Sequence, residues 1–378
     1  GAAFLMATSA IGPGFLTQTT VFTNQLGARF GFVILLSFFL DVVVQINVWR
    51  LVVASGQNAA ALASRVWRGA GPLLTLLIVA GGLAFNIGNI AGAGLGISVL
   101  TGWPASVGAI VSAVLALGLF FNRSAQVAVD VFSRFLGLLM IGLMLWVAVS
   151  ARPPVDTVLE HLILPGHFDA QAILTIVGGT VGGYISFAGA HRLLEAGWRG
   201  PEYVSEATRS AVQGIGVATL MRTLLFLAAL GVVSAGHLMD TQNPPASMFR
   251  AAAGAWGYFF FGIVMWAASI TSVVGATFTS LTFMEASVPA VRTFRTLFIA
   301  IFVSFSLVFF LFWGKPVSLL IWAGTVNGFI LPFALALMLL AARRPAVTGG
   351  YVLPAWARWA GWAVVVLTGG MACVSILG

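Results

Sequence analysis

The feature that most constrains this chain is a Gly-Pro-Gly interruption in its first apolar segment. The segment runs from Ala2 to Leu26 and has the length of one membrane-spanning helix. Pro13 cannot donate a backbone N–H, and the flanking Gly12 and Gly14 tolerate unwound geometry. Inside a bilayer, such unpaired backbone must be satisfied by neighbouring protein or by a water-lined cavity. The pattern therefore predicts a helix that is broken within the membrane.

A second glycine-rich stretch, GGTVGGY at 178–184, lies inside another apolar segment. Paired breaks in membrane helices are typical of secondary transporters, which bind their substrate near the middle of the bilayer. The alternative is that these glycines only allow close helix packing. The occurrence of two interrupted segments favours a binding site.

The composition excludes a soluble protein. Hydrophobic residues make up 60% of the 378 residues, charged residues make up 7%, and the mean hydropathy is +1.04. A soluble domain carries about a quarter of charged residues. The apolar runs do not alternate in polarity, which argues against a membrane β-barrel. We therefore expect an all-α polytopic membrane protein with a single transmembrane domain over 1–378.

Eleven apolar runs have the length of a membrane span. In chain order they cover about 2–26, 32–53, 72–100, 104–121, 129–149, 170–190, 208–235, 251–283, 296–313, 317–342 and 355–377. The predicted breaks fall in the first and the sixth span. A spacing of five spans predicts two five-helix halves of opposite orientation, at about 1–150 and 170–342, and an additional helix at 354–378.

The net charge of +8 and the isoelectric point near 11.0 do not indicate a nucleic-acid partner, because the basic residues are scattered over short loops. We interpret them as topology determinants. With a cytoplasmic N-terminus, Arg222 lies within the seventh span and the outside holds only Arg29, Arg152, Arg250 and Lys315. This bias predicts a protein of the bacterial inner membrane with its N-terminus in the cytoplasm and its C-terminus outside.

The single cysteine, Cys373, excludes a disulfide framework.

Several motifs resemble those of the NRAMP family of metal transporters, and they occur in the family's order along nearly the whole chain. In the first two helices these are GAAFL at 1–5, the Gly-Pro-Gly break, GARFGF at 27–32 and Gln45 with Arg50-Leu51. GGTV at 178–181 resembles the start of the sixth-helix motif, and LPFA at 331–334 resembles the tenth-helix motif. The resemblance implies a LeuT-like 5+5 inverted repeat with an eleventh helix, broken helices 1 and 6, and transport by alternating access.

The chain departs from this family at the positions that the resemblance assigns to metal binding. The family's Asp-Pro-Gly-Asn in the first helix is Gly12-Pro13-Gly14-Phe15 here, and its Met-Pro-His in the sixth helix is replaced at 182–184 by Gly-Gly-Tyr. The carboxylate, amide and thioether that would hold a transition metal are therefore missing. We expect no metal-binding site of the ordinary kind and no manganese or iron transport through one.

Two further departures affect the proton route and the tenth helix. The family's acidic residues in the third helix correspond to Asn86 and Asn89, which hydrogen-bond but do not carry a proton. A glutamine of the tenth-helix motif falls on Gly324. The sequence resembles a branch of the family that lacks the metal motifs and is associated with 5-oxoproline metabolism.

The altered site is expected to favour a carbonyl-bearing or negatively charged ligand, because broken helices expose backbone N–H groups at their positive ends. We predict transport of a small organic solute: a carboxylate, a lactam such as 5-oxoproline, or an amino-acid derivative. The alternative is a divalent metal cation, Mg²⁺ or Mn²⁺, in an atypical site. The predicted substrate-binding residues are Gly12, Gly14, Phe15, Thr17, Gln18, Thr19, Asn86, Asn89, Gly182, Gly183, Tyr184 and Ser186.

Two charged residues within the spans are candidates for coupling transport to an ion. Asp41 lies midway along the second span, where an ionisable group is a functional candidate by default. It would either form a structural ion pair with Arg222 or carry a coupling proton, and Na⁺ remains a second possible coupling ion. No nucleophile–base set, phosphate-binding loop or His/Cys cluster is present, so we expect neither an enzyme nor a cofactor.

Overall fold

The computed structural model describes residues 12–164, 166, 168–285, 287–344, 348 and 350–377. The regular structure of this part of the chain is helical. In chain order the helices are α1 Pro13–Leu26, α2 Phe30–Ser55, α3 Ala59–Ser64, α4 Ala70–Thr101, α5 Ala105–Phe120, α6 Arg123–Ser150, α7 Val155–His161, α8 Ala170–Val181, α9 Ile185–Glu195, α10 Val204–Ser234, α11 Pro244–Glu285, α12 Ala290–Thr293, α13 Arg295–Trp313, α14 Pro316–Ala341 and α15 Ala355–Leu377. The upstream half of the predicted broken first span, 2–11, lies outside the described residues.

Among the described residues, eight helices are long and apolar enough to cross a membrane, or nine when the bent pair Phe135–Ser150 and Val155–His161 forms one span. The first of the eight, Pro13–Ser55, has 43 residues and would be about 65 Å long as a straight helix. That is twice the thickness of the hydrocarbon core. Gly27 divides it, because its φ of 56° and ψ of −136° end α1 before α2 begins.

The predicted boundaries need correction at two connections. The eighth span begins at Pro244 rather than near residue 251, because Pro244 occupies the favoured first helical position and the Asn243 side chain accepts a hydrogen bond from the Ala246 N–H at 3.3 Å. Gly254 then interrupts this helix with a φ of 64° and a ψ of −155°. The connection between the fifth and sixth predicted spans contains the helix Val155–His161.

The core is built around α4, which packs against α5, α11, α13 and α14. The two segments that flank the predicted sixth-span break, α8 and α9, both contact α2, and α8 also lies along α14. At that last contact a Cβ on Gly178 would overlap the backbone of Gly324 and Gly328. The close-packing interpretation of the glycines is therefore correct for Gly178, as is typical of membrane helix pairs.

Candidate functional site

The sixth predicted span is interrupted between Val181, the last residue of α8, and Ile185, the first residue of α9. Gly182 at the junction is extended, with a φ of −50° and a ψ of 178°. Ser186 bridges the interruption, because its hydroxyl donates to the Val181 carbonyl at 2.7 Å. The glycine pattern in the sequence thus marked a real break, at 182–184.

The backbone N–H groups of this break are bound by Asn327 on α14. The Gly183 N–H donates to the Asn327 carbonyl at 3.1 Å, and the Tyr184 N–H donates to its side-chain Oδ1 at 3.0 Å. The Nδ2 of the same asparagine donates to the carbonyls of Gly81 on α4 and Ala323, at 3.0 and 2.9 Å. The expectation that these N–H groups are free for a ligand is therefore wrong for Gly183 and Tyr184.

Sequence reasoning missed Asn327 altogether. A buried asparagine in the middle of an apolar helix is a detectable signal, since a buried amide must find partners for its two N–H groups and its oxygen. Its partner at Tyr184 is 143 positions away, however, and the one-dimensional pattern does not reveal which segment it meets.

At the start of α1, Gly12 is extended, with a φ of −90° and a ψ of 175°, and the helix begins at Pro13. The Pro13 ring packs against α4 so closely that a Cβ on Gly92 would overlap it. A Cβ on Gly12, by contrast, would lie in ordinary contact, 3.7 Å from the Ser272 hydroxyl. Among the described residues, the position that the family resemblance assigns to the missing carboxylate is thus sterically open.

Gln18 connects α1 with α8 and α14. Its Nε2 donates to the Leu320 carbonyl at 2.8 Å, and its buried Oε1 finds no hydrogen-bond partner in the described part of the chain. A Cβ on Gly324 would lie 2.5 Å from Nε2, and a Cβ on Gly179 would overlap Oε1. The amide of Gln18 therefore lies over the position where the family's tenth helix carries its glutamine.

Several other predicted site residues hold buried polar atoms. Among the described residues, the hydroxyls of Thr17 and Thr19 and the Oδ1 of Asn86 find no hydrogen-bond partner, whereas the Asn86 Nδ2 donates to the Ser306 hydroxyl at 2.9 Å. Asn86 is thus bound to α13. Asn89 is at helical spacing from two other residues of α4, Gly82 beside Tyr184 and Gly92 beside Pro13. Asn89 therefore lies on the face of α4 that packs against the start of α1 and the break at 182–184.

The two predicted aromatic residues lie in different buried clusters and do not form one pocket. The Tyr184 ring packs against α4, with its centroid 6.0 Å from that of Phe85 and two ring carbons 3.0 Å from a Cβ added to Gly82. Phe15 packs with residues of α10 and α11, and the Arg222 guanidinium lies 4.6 Å from its ring centroid.

The junction leaves no space for the family's thioether. A Cβ on Gly182 would overlap the Gly178 carbonyl and lie 2.6 Å from the Asn327 Cβ, and a Cβ on Gly183 would overlap the side chain of Ile330. In the described part of the chain, no group of three or more His, Cys, Asp or Glu residues could hold a metal ion. The residues that replace the metal motif therefore pack directly against α14.

The two coupling candidates are buried next to the break. Asp41 on α2 is 1% exposed and Arg222 on α10 is 3% exposed. The Arg222 Nη1 donates to the Thr180 hydroxyl at 2.8 Å, and that hydroxyl donates to the Ile176 carbonyl at 2.8 Å. The ion pairs within 4.0 Å between described residues do not include Asp41 and Arg222.

A cavity of about 190 Å³ lies beside α9. His191, Arg192 and Glu195 line one wall, and Thr279 on α11 lines another. The cavity therefore lies at the end of α9 that is remote from the break.

Comparison with known proteins identifies the family. The family model described as natural resistance-associated macrophage protein-like matches residues 3–378. The chain belongs to the NRAMP family. A Haemophilus influenzae membrane protein of uncharacterised function is 48% identical over 97% of this chain and 92% of its own length. The divalent metal cation transporter MntH of Xylella fastidiosa is 27% identical over 89% of this chain and 77% of its own length.

Solved structures agree with the NRAMP assignment at the level of the fold. A manganese transporter from Eremococcus coleocola, in complex with an aromatic bis-isothiourea compound, superimposes with a TM-score of 0.69 at 18% identity, covering 100% of this chain and 85% of that one. Mhp1, a nucleobase-cation-symport-1 family transporter with bromovinylhydantoin bound, superimposes with a TM-score of 0.63 at 14% sequence identity. The match covers 99% of this chain and 91% of that one. This NRAMP protein is therefore an integral membrane transporter of LeuT-like fold and not an enzyme.

Proposed function

We propose that this NRAMP protein is a secondary transporter that binds its substrate between the start of α1 and the break separating α8 from α9. The observation that carries the proposal is the convergence of the two helix ends on α4, with Pro13 against Gly92 and Tyr184 against Gly82. Discontinuous helices form the substrate site in many secondary transporters.

We further propose that the chain lies in the bacterial inner membrane, with the N-terminus in the cytoplasm and the C-terminus outside, and works by alternating access between two repeats at about 1–150 and 170–342. The distribution of arginine over the loops supports the orientation. The five-span spacing of the interrupted segments supports the repeats.

The first candidate substrate is a divalent metal cation, Mn²⁺ or Mg²⁺. It is favoured by the relatives whose names state a function, because these are divalent metal cation transporters. Buried oxygens without partners on Thr17, Gln18 and Asn86 are ligands that hard cations accept. A cation bound here would keep several of its water molecules, since no side-chain carboxylate lies at Gly12 or Gly182.

A second candidate is a small organic solute: a carboxylate, a lactam such as 5-oxoproline, or an amino-acid derivative. One specific observation favours it, namely that the buried, positively charged guanidinium of Arg222 lies 4.6 Å from the ring centroid of Phe15, near the start of α1. Burying a divalent cation without an anionic ligand, and close to another cation, is unfavourable. Polar groups in a mostly apolar site suit a small organic molecule.

Calorimetric titration of the purified protein with Mn²⁺, Mg²⁺ and 5-oxoproline, followed by uptake into proteoliposomes, distinguishes the candidates. Micromolar Mn²⁺ binding with uptake of radioactive manganese supports the first candidate, and saturable 5-oxoproline uptake without Mn²⁺ binding supports the second. Separately imposed H⁺ and Na⁺ gradients identify the coupling ion.

A pair of glutamine variants tests where the substrate binds. Gln18→Leu is expected to reduce uptake about tenfold, because it removes one buried polar contact worth about 1.4 kcal/mol. Gln57→Leu, in the connection between α2 and α3, is expected to leave uptake unchanged. Equal uptake by both variants would rule out a site at the start of α1.

A further inference from the structure

A group of arginines lies at one end of the helix bundle without acidic partners. They come from the last turns of α2, the connection from α3 to α4, the residues that follow α14 and the start of α15. We call this group the arginine band, and its members are Arg50, Arg65, Arg68, Arg343, Arg344 and Arg358. All six lie in the ranges 42–129 and 286–378, which contain neither aspartate nor glutamate. The ion pairs within 4.0 Å between described residues include none of the six.

The two arginines that follow α14 contact the neighbouring helices α3 and α15. The Arg344 Nη1 donates to the backbone carbonyl of Arg65, at the end of α3, at 2.8 Å, and both side chains are exposed. Arg343, which is also exposed, lies over the Trp362 ring of α15, with 5.6 Å between its Cζ and the ring centroid. A guanidinium carries five N–H donors, and the bond to Arg65 uses one of those of Arg344. The exposed pair therefore has donors left for a ligand outside the chain.

Arg50 of α2 contacts a second face of α15. Its Cζ lies 5.5 Å from the ring centroid of Trp356. The two helices are held together by Asn47, whose Nδ2 donates to the Ala357 carbonyl of α15 at 3.0 Å. Six residues separate Trp356 from Trp362, which places them about 120° apart around the helix axis. Arginine–tryptophan contacts thus flank the start of α15 on two sides.

The tryptophans indicate that the ligand of the arginine band comes from the bilayer. Trp356 and Trp359, in the first two turns of α15, are 55% and 69% exposed. Exposed tryptophans at the ends of membrane helices lie at the level of the lipid headgroups. Arginine binds phosphate through strong, charge-assisted hydrogen bonds. A phospholipid places its phosphate against the arginines and its upper acyl chain against the tryptophans, whereas a free phosphate ion contacts the arginines alone.

We propose that the arginine band is a binding surface for the headgroups of anionic phospholipids. Basic clusters at the ends of membrane helices recognise acidic headgroups, and here the cluster has no carboxylate within it to compete with the lipid. A zwitterionic headgroup suits the surface less, because its own ammonium group is repelled by the arginines. The band includes none of the residues of the proposed substrate site, so this inference holds or fails independently of the proposed transport function.

Thermal unfolding of the purified protein in detergent micelles that contain added lipid tests the proposal. The melting temperature of the unsubstituted protein is expected to rise with the mole fraction of phosphatidylglycerol and to change little with phosphatidylcholine or with inorganic phosphate, because only a ligand that binds the folded state stabilises it. Arg343→Gln removes one charge of the band. It is expected to raise the mole fraction of phosphatidylglycerol needed for half of the stabilisation about fivefold.

Arg292→Gln is the matched control, since Arg292 on α12 is also exposed and lies outside the arginine band. It removes the same charge and is expected to leave the response to phosphatidylglycerol unchanged. An equal loss of response in both variants, or no loss in Arg343→Gln, would overturn the proposal. Equal stabilisation by the two lipids would overturn it too, as would stabilisation by inorganic phosphate as large as that by phosphatidylglycerol. The comparison of the lipids and phosphate needs no variant and stands even if Arg343→Gln does not fold.

Discussion

At the scale of single residues, the chain differs from metal-transporting relatives in two ways that have different structural consequences. At Gly12 only the side chain is missing, because a Cβ there would make an ordinary contact with Ser272. At Gly182 the backbone itself is packed against Asn327 and Gly178, so a larger side chain requires α14 to move. A carboxylate is therefore easy to restore and a thioether is not.

This asymmetry leads to a prediction for Gly12→Asp. The extended backbone at this position suits an aspartate that caps α1, and the new carboxylate supplies the negative charge that a divalent cation lacks here. We expect the dissociation constant for Mn²⁺, measured by calorimetric titration, to fall about tenfold or more. Gly12→Asn introduces a side chain of the same shape without the charge and is the control. It is expected to change the dissociation constant for Mn²⁺ little. An unchanged constant in both variants would show that the start of α1 does not face the ion.

At the scale of helices, the break at 182–184 could be predicted from sequence because its cause is local: two glycines interrupt an apolar run. The hydrogen bonds from Asn327 to the break could not be predicted, because Asn327 lies on α14 and contacts α4 and the break at the same time. The same limit explains Gln18, whose neighbours Gly179 and Gly324 come from two other helices. The periodicity of one sequence identifies helices and their interruptions. It does not show which other helix hydrogen-bonds to the interrupted backbone.

Asn327→Leu tests whether the hydrogen bonds of Asn327 maintain the break at 182–184. The substitution keeps the volume but leaves the Tyr184 N–H and the Gly81 carbonyl without side-chain partners. Each unpaired buried group costs about 1–3 kcal/mol, so we expect a clear fall in melting temperature and faster amide hydrogen exchange at 183–186. Phe333→Leu, on an exposed part of the same helix, is the control. Unchanged exchange in Asn327→Leu would mean that Asn327 is not needed to hold the break.

At the scale of the whole molecule, the predicted count of eleven spans is reduced: eight or nine described helices have the length and composition of a span, because α1 and α2 run together as Pro13–Ser55 and α5 has 16 residues. Sequence reasoning nevertheless gave the helical class and the family correctly, and the predicted spans within the described residues coincide largely with helix. It succeeded because a bilayer admits few backbone arrangements. Helix contacts such as α4 with α11 and α14 follow instead from side-chain complementarity between distant segments. The predicted site residues divide accordingly: Gln18 lies against Gly179 of α8 and Gly324 of α14, whereas Asn86 is bonded to α13.

The orientation of the molecule in the membrane is open to a direct test because the chain has one cysteine. In a Cys373→Ser background, Arg292→Cys and Lys315→Cys place single thiols at exposed positions on either side of α13. The 19 residues of that helix span about 28 Å, close to the hydrocarbon thickness, so the two thiols lie at opposite membrane faces. Since cytoplasmic loops carry the excess of arginine, we expect a membrane-impermeant maleimide to label Lys315→Cys in intact cells and Arg292→Cys only after permeabilisation. The reverse pattern would invert the proposed topology, and labelling of both thiols in intact cells would mean that α13 does not cross the membrane.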